Sequence, residues 1–151
     1  MILPVPNSKL TQTFLNPDSV NYPKTGVHPG CDYGTAGDPN VPMLAVEDGE
    51  VTEGFFSSTP MGKYLGNHFY FYVPKENVTF LYCHSAVIPP PTGFYKRGDR
   101  LGVVGQTGQS QGIHLHLEGF YGRKGSKDRV FGSKEDIIRL CFNSDSFIRS
   151  K

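Results

Sequence analysis

The stretch Gly112-Ile113-His114-Leu115-His116-Leu117-Glu118 alternates polar, chemistry-bearing side chains with aliphatic ones from position 114 onward. A period of two is the pattern of a strand covered on one face; a helix, with its period of 3.6, would scatter the same residues around its axis. His114 and His116 therefore leave the same face, and Glu118 shares it if the strand continues. Working outward, Met43-Leu-Ala-Val46, Phe69-Tyr-Phe-Tyr-Val73, Val78-Thr-Phe-Leu-Tyr82 and Leu101-Gly-Val-Val104 are further short runs of β-branched, aromatic and aliphatic residues. Each is bounded by Gly, Pro or Asn. With 18 Gly and 12 Pro in 151 residues, turns are plentiful and long helices are not expected. The fold expected is mainly β: an antiparallel sheet, or a half-open β-barrel or sandwich, with long loops and one short C-terminal helix.

The loops have a readable character. Phe55 to Gly66 is turn chemistry throughout, Ala86 to Tyr95 is stiffened by three consecutive prolines, and Gly105 to Gly112 leads into the His-x-His strand. Tyr33, Phe55, Tyr64 and Tyr95 are candidate walls of a groove. The charge changes along the chain: residues 1–122 carry seven Lys/Arg against ten Asp/Glu, residues 123–151 eight against four. The expected organisation is a main domain over 1–122 and a basic C-terminal extension, 123–151, packed on it. Ser133-Lys-Glu-Asp136 has the form of a helix N-cap with acidic first-turn residues, and Ile137, Ile138 and Leu140 follow.

Chemistry gathers at His28, Asp32, His84, His114 and His116. His28-Pro-Gly-Cys-Asp32 pairs an imidazole with a carboxylate, and the strand supplies two more imidazoles. Such a set suits a zinc ion with three protein ligands and one open position, which lowers the pKa of a bound water enough to make it a nucleophile at neutral pH. One site needs His28, Asp32 and one of the 114/116 pair. His84, ending Val78-Thr-Phe-Leu-Tyr-Cys-His84, would lie on a face with Val78, Phe80 and Tyr82 and flank the open position together with His114. Imidazole titrates near neutrality and can take up or release a proton there. A four-ligand structural zinc would leave histidines to spare. His68 is read as a hydrogen-bonded or surface residue, and Glu118 as an exposed strand-end carboxylate or a partner of a metal ligand.

At these residues the chain resembles the lysostaphin/LytM-type zinc metallopeptidases, which cut peptide bridges and stems of bacterial peptidoglycan. The resemblance runs in order through Leu10-Thr-Gln-Thr-Phe14, Val27-His28-Pro-Gly-Cys-Asp32-Tyr-Gly34 and Val41 to Val51. It continues through Phe80-Leu-Tyr-Cys-His84, Lys96 to Gly108, and Gly112 to Glu118. It implies His28, Asp32 and His116 as ligands of one Zn2+. It implies His84 and His114 as the catalytic pair that activates water and stabilises the tetrahedral intermediate, with the order of proton transfer left open. Cys31, where the family often has an aliphatic residue, and Ser85-Ala86 after the His84 motif are departures that touch no ligand. The resemblance also implies a peptidoglycan-peptide substrate and an antiparallel folded sheet whose groove, walled by loops, holds the metal. A catalytically silent wall-binding or regulatory module of the same fold is the alternative, and inactive relatives lose ligands that this chain keeps.

Other partners follow from charge and hydropathy. The basic extension is an expected contact for anionic cell-envelope polymers. No recognition motif or basic, aromatic-laced patch points to nucleic acid. No run approaches the ~20 apolar residues of a membrane span. The opening Met1-Ile-Leu-Pro-Val-Pro6 lacks the basic start and apolar stretch of an export signal. The expectation is a monomer made in the cytoplasm that reaches the wall after release, as a phage lysis enzyme does, or as part of a virion; the alternative is the mature part of a longer bacterial product. Three cysteines in no paired spacing predict no disulfide framework.

Overall fold

The computed structural model describes residues 1–151. The His-x-His stretch and the four apolar and aromatic runs form strands, and five more strands join them: β1 (Lys9–Gln12), β2 (Cys31–Gly34), β3 (Pro42–Leu44), β4 (Gly49–Phe55), β5 (Asn67–Val73), β6 (Val78–Ser85), β7 (Gly93–Tyr95), β8 (Arg100–Val103), β9 (His114–Tyr121) and β10 (Cys141–Phe142). The main sheet runs β1-β2-β9-β6-β5-β4-β7, and β10 pairs with the far end of β9, beyond β2. β3 and β8 form a small second sheet. Every pairing is antiparallel. This is the expected mainly-β architecture, an open folded sheet.

The helices are short: α1 (Gly62–Leu65), α2 (Lys134–Leu140) and α3 (Ser144–Arg149). The Ser133 hydroxyl caps α2 by accepting from the Asp136 amide at 3.3 Å, as the local sequence predicts. Where one C-terminal helix was expected there are two, with β10 between them. Asn143 caps the second, its side chain accepting from the Ser146 amide at 3.0 Å.

The central strands are covered on both faces, so β5 and β6 are buried almost throughout. Phe69, Phe71 and Val73 of β5, Phe80 and Tyr82 of β6, and Leu115 and Leu117 of β9 point into the larger core, with Met43, Val46 and Val104 from the small sheet's side. Phe69 stacks on Tyr82 with ring centroids 4.9 Å apart. The Tyr82 hydroxyl donates to the Leu44 carbonyl at 3.0 Å, which satisfies its one polar atom in the interior. The opposite face carries Tyr70, Leu81, Cys83 and Phe120, covered by Val27, Leu65, Ile137 and Cys141. His116 lies on this second face, because it pairs across β6 with Cys83 and across β2 with Asp32.

β6 is not regular. Between Phe69 and Asn67, β5 advances two residues, while its partners Tyr82 and Ser85 are three apart, so β6 holds one extra residue at Cys83–His84. His84 has a φ of 64°. This bulge corrects the expectation that His84 shares a face with Val78, Phe80 and Tyr82. Strict alternation would send its ring into the larger core. The extra residue and left-handed backbone turn it instead onto the face of His114 and His116.

Candidate metal centre

Three elements converge on one point. β2 and the turn before it bring Asp32 and His28, and β9 brings His116. Gly30 makes this approach possible: a Cβ there would stand 2.5 Å from the Leu117 carbonyl oxygen, so a side-chain-free residue lets the His28–Asp32 turn lie on β9. The His28 Nε2, His116 Nδ1 and Asp32 Oδ1 atoms lie 3.0, 2.8 and 3.1 Å from one another. Donors around a tetrahedral ion with bonds of about 2.0–2.1 Å stand about 3.3 Å apart, so these three need open by only tenths of an ångström.

Each imidazole is held by its outward nitrogen. His28 Nδ1 donates to the Thr13 carbonyl at 3.1 Å, His84 Nδ1 to Thr107 at 2.8 Å and His114 Nδ1 to Gly112 at 2.9 Å. A carbonyl only accepts, so in these three rings the proton sits on Nδ1 and the Nε2 lone pair is free. His116 is turned the other way: its Nε2 lies 3.0 Å from Glu118 Oε1, and its Nδ1 faces the convergence point. His84 and His114 stand side by side with ring centroids 4.8 Å apart, and His114 Nε2 is 3.8 Å from Asp32 Oδ1. All five predicted site residues are thus gathered in one place, three as a compact donor set and two as a pair beside it.

The electrostatics are those of a cation site. Burial alone would lower the His116 pKa, but the hydrogen bonds it donates to Asp32 and Glu118 outweigh it and hold the ring at about 9. Burial alone would raise Asp32, yet His116 and His28 bring it well below the usual carboxylate range. The donor set therefore keeps a proton where a metal ion would supply the positive charge. His84 is different: burial first, then the neighbouring His116 and His114, push it down to about 3, so it is a neutral base at any ordinary pH.

The walls differ in part from expectation. Tyr33 is no wall: it is 1% exposed in the larger core, its hydroxyl donating to Asp145 at 3.0 Å. Tyr95 is on β7, the far edge of the sheet, and its hydroxyl binds the Pro91 carbonyl. Tyr64 is half exposed beside the loop that holds His84, its carbonyl accepting from the Gln109 amide. Phe55 stacks on His68, and together with Met61, Tyr70 and Arg129 they line a cavity of about 340 Å³ on the β4–β5 side. His68 is buried and donates from Nδ1 to the Gly66 carbonyl, as expected of a hydrogen-bonded histidine outside the metal cluster. Two residues with no signal in the sequence border the site. Tyr22 packs its ring edge-on against His28 at 5.6 Å, and Arg129 grips Glu118. Both arrive from loops without a periodic pattern.

No protein-family model matches the chain. Solved structures do. A zinc-containing peptidase from Vibrio cholerae is 29% identical with a TM-score of 0.59 over 74% of this chain, which spans about a third (32%) of that protein's length. The catalytic domain of a prophage-encoded M23 protein, EnpA, from Enterococcus faecalis is 25% identical with a TM-score of 0.62; the match covers 78% of this chain and 84% of that one. The catalytic domain of the antimicrobial peptidase lysostaphin from Staphylococcus simulans is 20% identical with a TM-score of 0.68, covering 95% and 93% of the two chains. The likeness read from the motifs thus extends to the fold along nearly the whole chain, which has the architecture of a lysostaphin/LytM-type peptidase domain.

Proposed function

We propose that the chain is a zinc-dependent endopeptidase that hydrolyses peptide bonds in the cross-links or stems of bacterial peptidoglycan. The observation that carries this reading is the convergence of His28, Asp32 and His116 on one point with two further histidines beside it. Two imidazoles and one carboxylate leave a tetrahedral ion one position for substrate or water, the ligand count of a catalytic rather than a structural zinc. When bound, zinc polarises a carbonyl and makes water acidic enough to attack it at neutral pH.

The protein's own groups do the rest. His84 and His114 present Nε2 lone pairs beside the donor set, and there they take up the proton of the attacking water and return one to the leaving amine. His84 is neutral because it is buried. His114 is held in register by the Gly112 carbonyl. Each imidazolium, once formed, lies close enough to stabilise the charge growing on the substrate oxygen. Likeness to a prophage-encoded domain and to a peptidase described as antimicrobial supports a finer role in phage-driven lysis of the wall. In that role the chain would be made in the cytoplasm and act after release.

The deciding experiment is digestion of purified sacculi by the zinc-loaded protein, with a chelated control. New free amines at one kind of peptide bond, lost on chelation, are the expected result and name the bond cut. Intact sacculi from several wall types, with stoichiometric zinc bound, would favour the silent binding module instead.

A further inference from the structure

We propose that Arg129 is a positioning residue of the metal centre, acting through Glu118 to fix the tautomer of His116. This inference rests on the metal-centre reading above and adds to it a part of the C-terminal segment.

The geometry starts with His116. Its Nδ1 faces Asp32 and His28, so it serves as a ligand only with its proton on Nε2. Glu118 Oε1, 3.0 Å from that nitrogen, accepts the proton's hydrogen bond. Glu118 itself is completely buried. Turned away from that nitrogen, the carboxylate would leave the ring free to carry its proton on Nδ1, which would close the ligand position.

Arg129 prevents this. Its Nε donates to Glu118 Oε2 at 2.8 Å and its second terminal nitrogen to Oε1, a two-pronged contact that satisfies both carboxylate oxygens. The guanidinium is itself fixed, lying 4.7 Å from the centre of the Phe131 ring, which stacks on Phe120 of β9. The chain of contacts is Phe131, Arg129, Glu118, His116, and its last member is a proposed ligand.

A role in stability alone does not account for this arrangement. Buried ion pairs contribute little net stability compared with apolar residues of the same size. Outer partners of metal-bound histidines, by contrast, commonly change metal affinity about 10- to 100-fold when lost.

The test measures metal rather than turnover. Zinc affinity is determined by competition with a chromophoric chelator, and the visible spectrum of the Co2+-loaded protein reports the ligand field. Arg129→Met should weaken zinc binding by about 10- to 100-fold and alter the Co2+ spectrum, with Arg129→Lys losing less. Because Arg129→Met strands a buried carboxylate, Glu118→Gln/Arg129→Met removes both charges together. This double variant should unfold cooperatively without metal, as the wild type does, and still show the weakened affinity. A double variant that folds, binds zinc within about two-fold of wild type and gives an unchanged Co2+ spectrum would overturn the positioning role while leaving the metal centre intact. Wild-type protein that takes up no zinc would overturn both.

Discussion

His114 and His116 are two residues apart on one strand, yet their rings are held in opposite senses. The Gly112 carbonyl accepts a hydrogen bond from His114 Nδ1–H, which leaves the lone pair on Nε2, whereas Glu118 accepts one from His116 Nε2–H, which leaves the lone pair on Nδ1. Only the His116 lone pair meets those of His28 and Asp32. The two positions should therefore fail differently. His116→Ala should lose stoichiometric zinc on equilibrium dialysis, and turnover with it. His114→Ala should keep zinc at near wild-type affinity while release of free amines from sacculi falls by about 10²-fold or more, the range of a lost proton-transfer group. His114→Ala protein that cuts at the wild-type rate would reverse the division of roles. The pair was legible in the sequence because a period of two places both rings on one face. Their opposite tautomers were not, since these depend on a backbone carbonyl and on a carboxylate whose own partner is a distant arginine.

The element that decides how His84 reaches the site is the bulge in β6. A non-glycine residue with φ near 64° pays roughly 1–2 kcal/mol for its Cβ, a cost borne here at a proposed catalytic position. Glycine normally weakens a strand relative to alanine by about 0.5–1 kcal/mol. At position 84 the order should invert: metal-free His84→Gly should be more stable than His84→Ala by about 1 kcal/mol in urea denaturation, although both lose the imidazole. His84→Ala equal to or more stable than His84→Gly would mean that the bulge relaxes when the ring is removed. Here the sequence pointed to a residue that does lie beside His114, but it reaches that place by another geometry. Val78 to His84 is a continuous run of strand-forming residues and shows no glycine or proline to mark the extra residue. Only pairing with β5 reveals that Cys83 and His84 together oppose a single position, and pairing is a long-range fact that a local pattern does not carry.

At the scale of the whole molecule, the donor set draws on segments far apart in the chain. His28 and Asp32 come from the first quarter and His116 from the last, and the strand between β9 and β5 brings His84. The C-terminal segment ties into the same strands: β10 pairs with β9, the Ser144 hydroxyl donates to the Leu117 carbonyl at 2.9 Å, and Tyr33 of β2 binds Asp145. Five of its basic residues, Arg123, Arg129, Arg139, Arg149 and Lys151, are engaged in ion pairs. Its positive charge is thus spent largely on the molecule's own carboxylates, which weakens the expectation that it tethers the protein to anionic polymers. A metal at this convergence binds the folded chain and not the unfolded one, because the unfolded chain holds its donors apart. Stabilisation then follows mass action: free zinc at 1,000 times its dissociation constant adds about 4 kcal/mol. For a domain of this size each kcal/mol is worth about 2–4 °C, so chelation should lower the Tm by about 8–16 °C. The shift should shrink as free zinc is reduced and be nearly absent in His116→Ala. A Tm that ignores the chelator would show that the donors meet without holding a metal, and the proposed chemistry would fall with them.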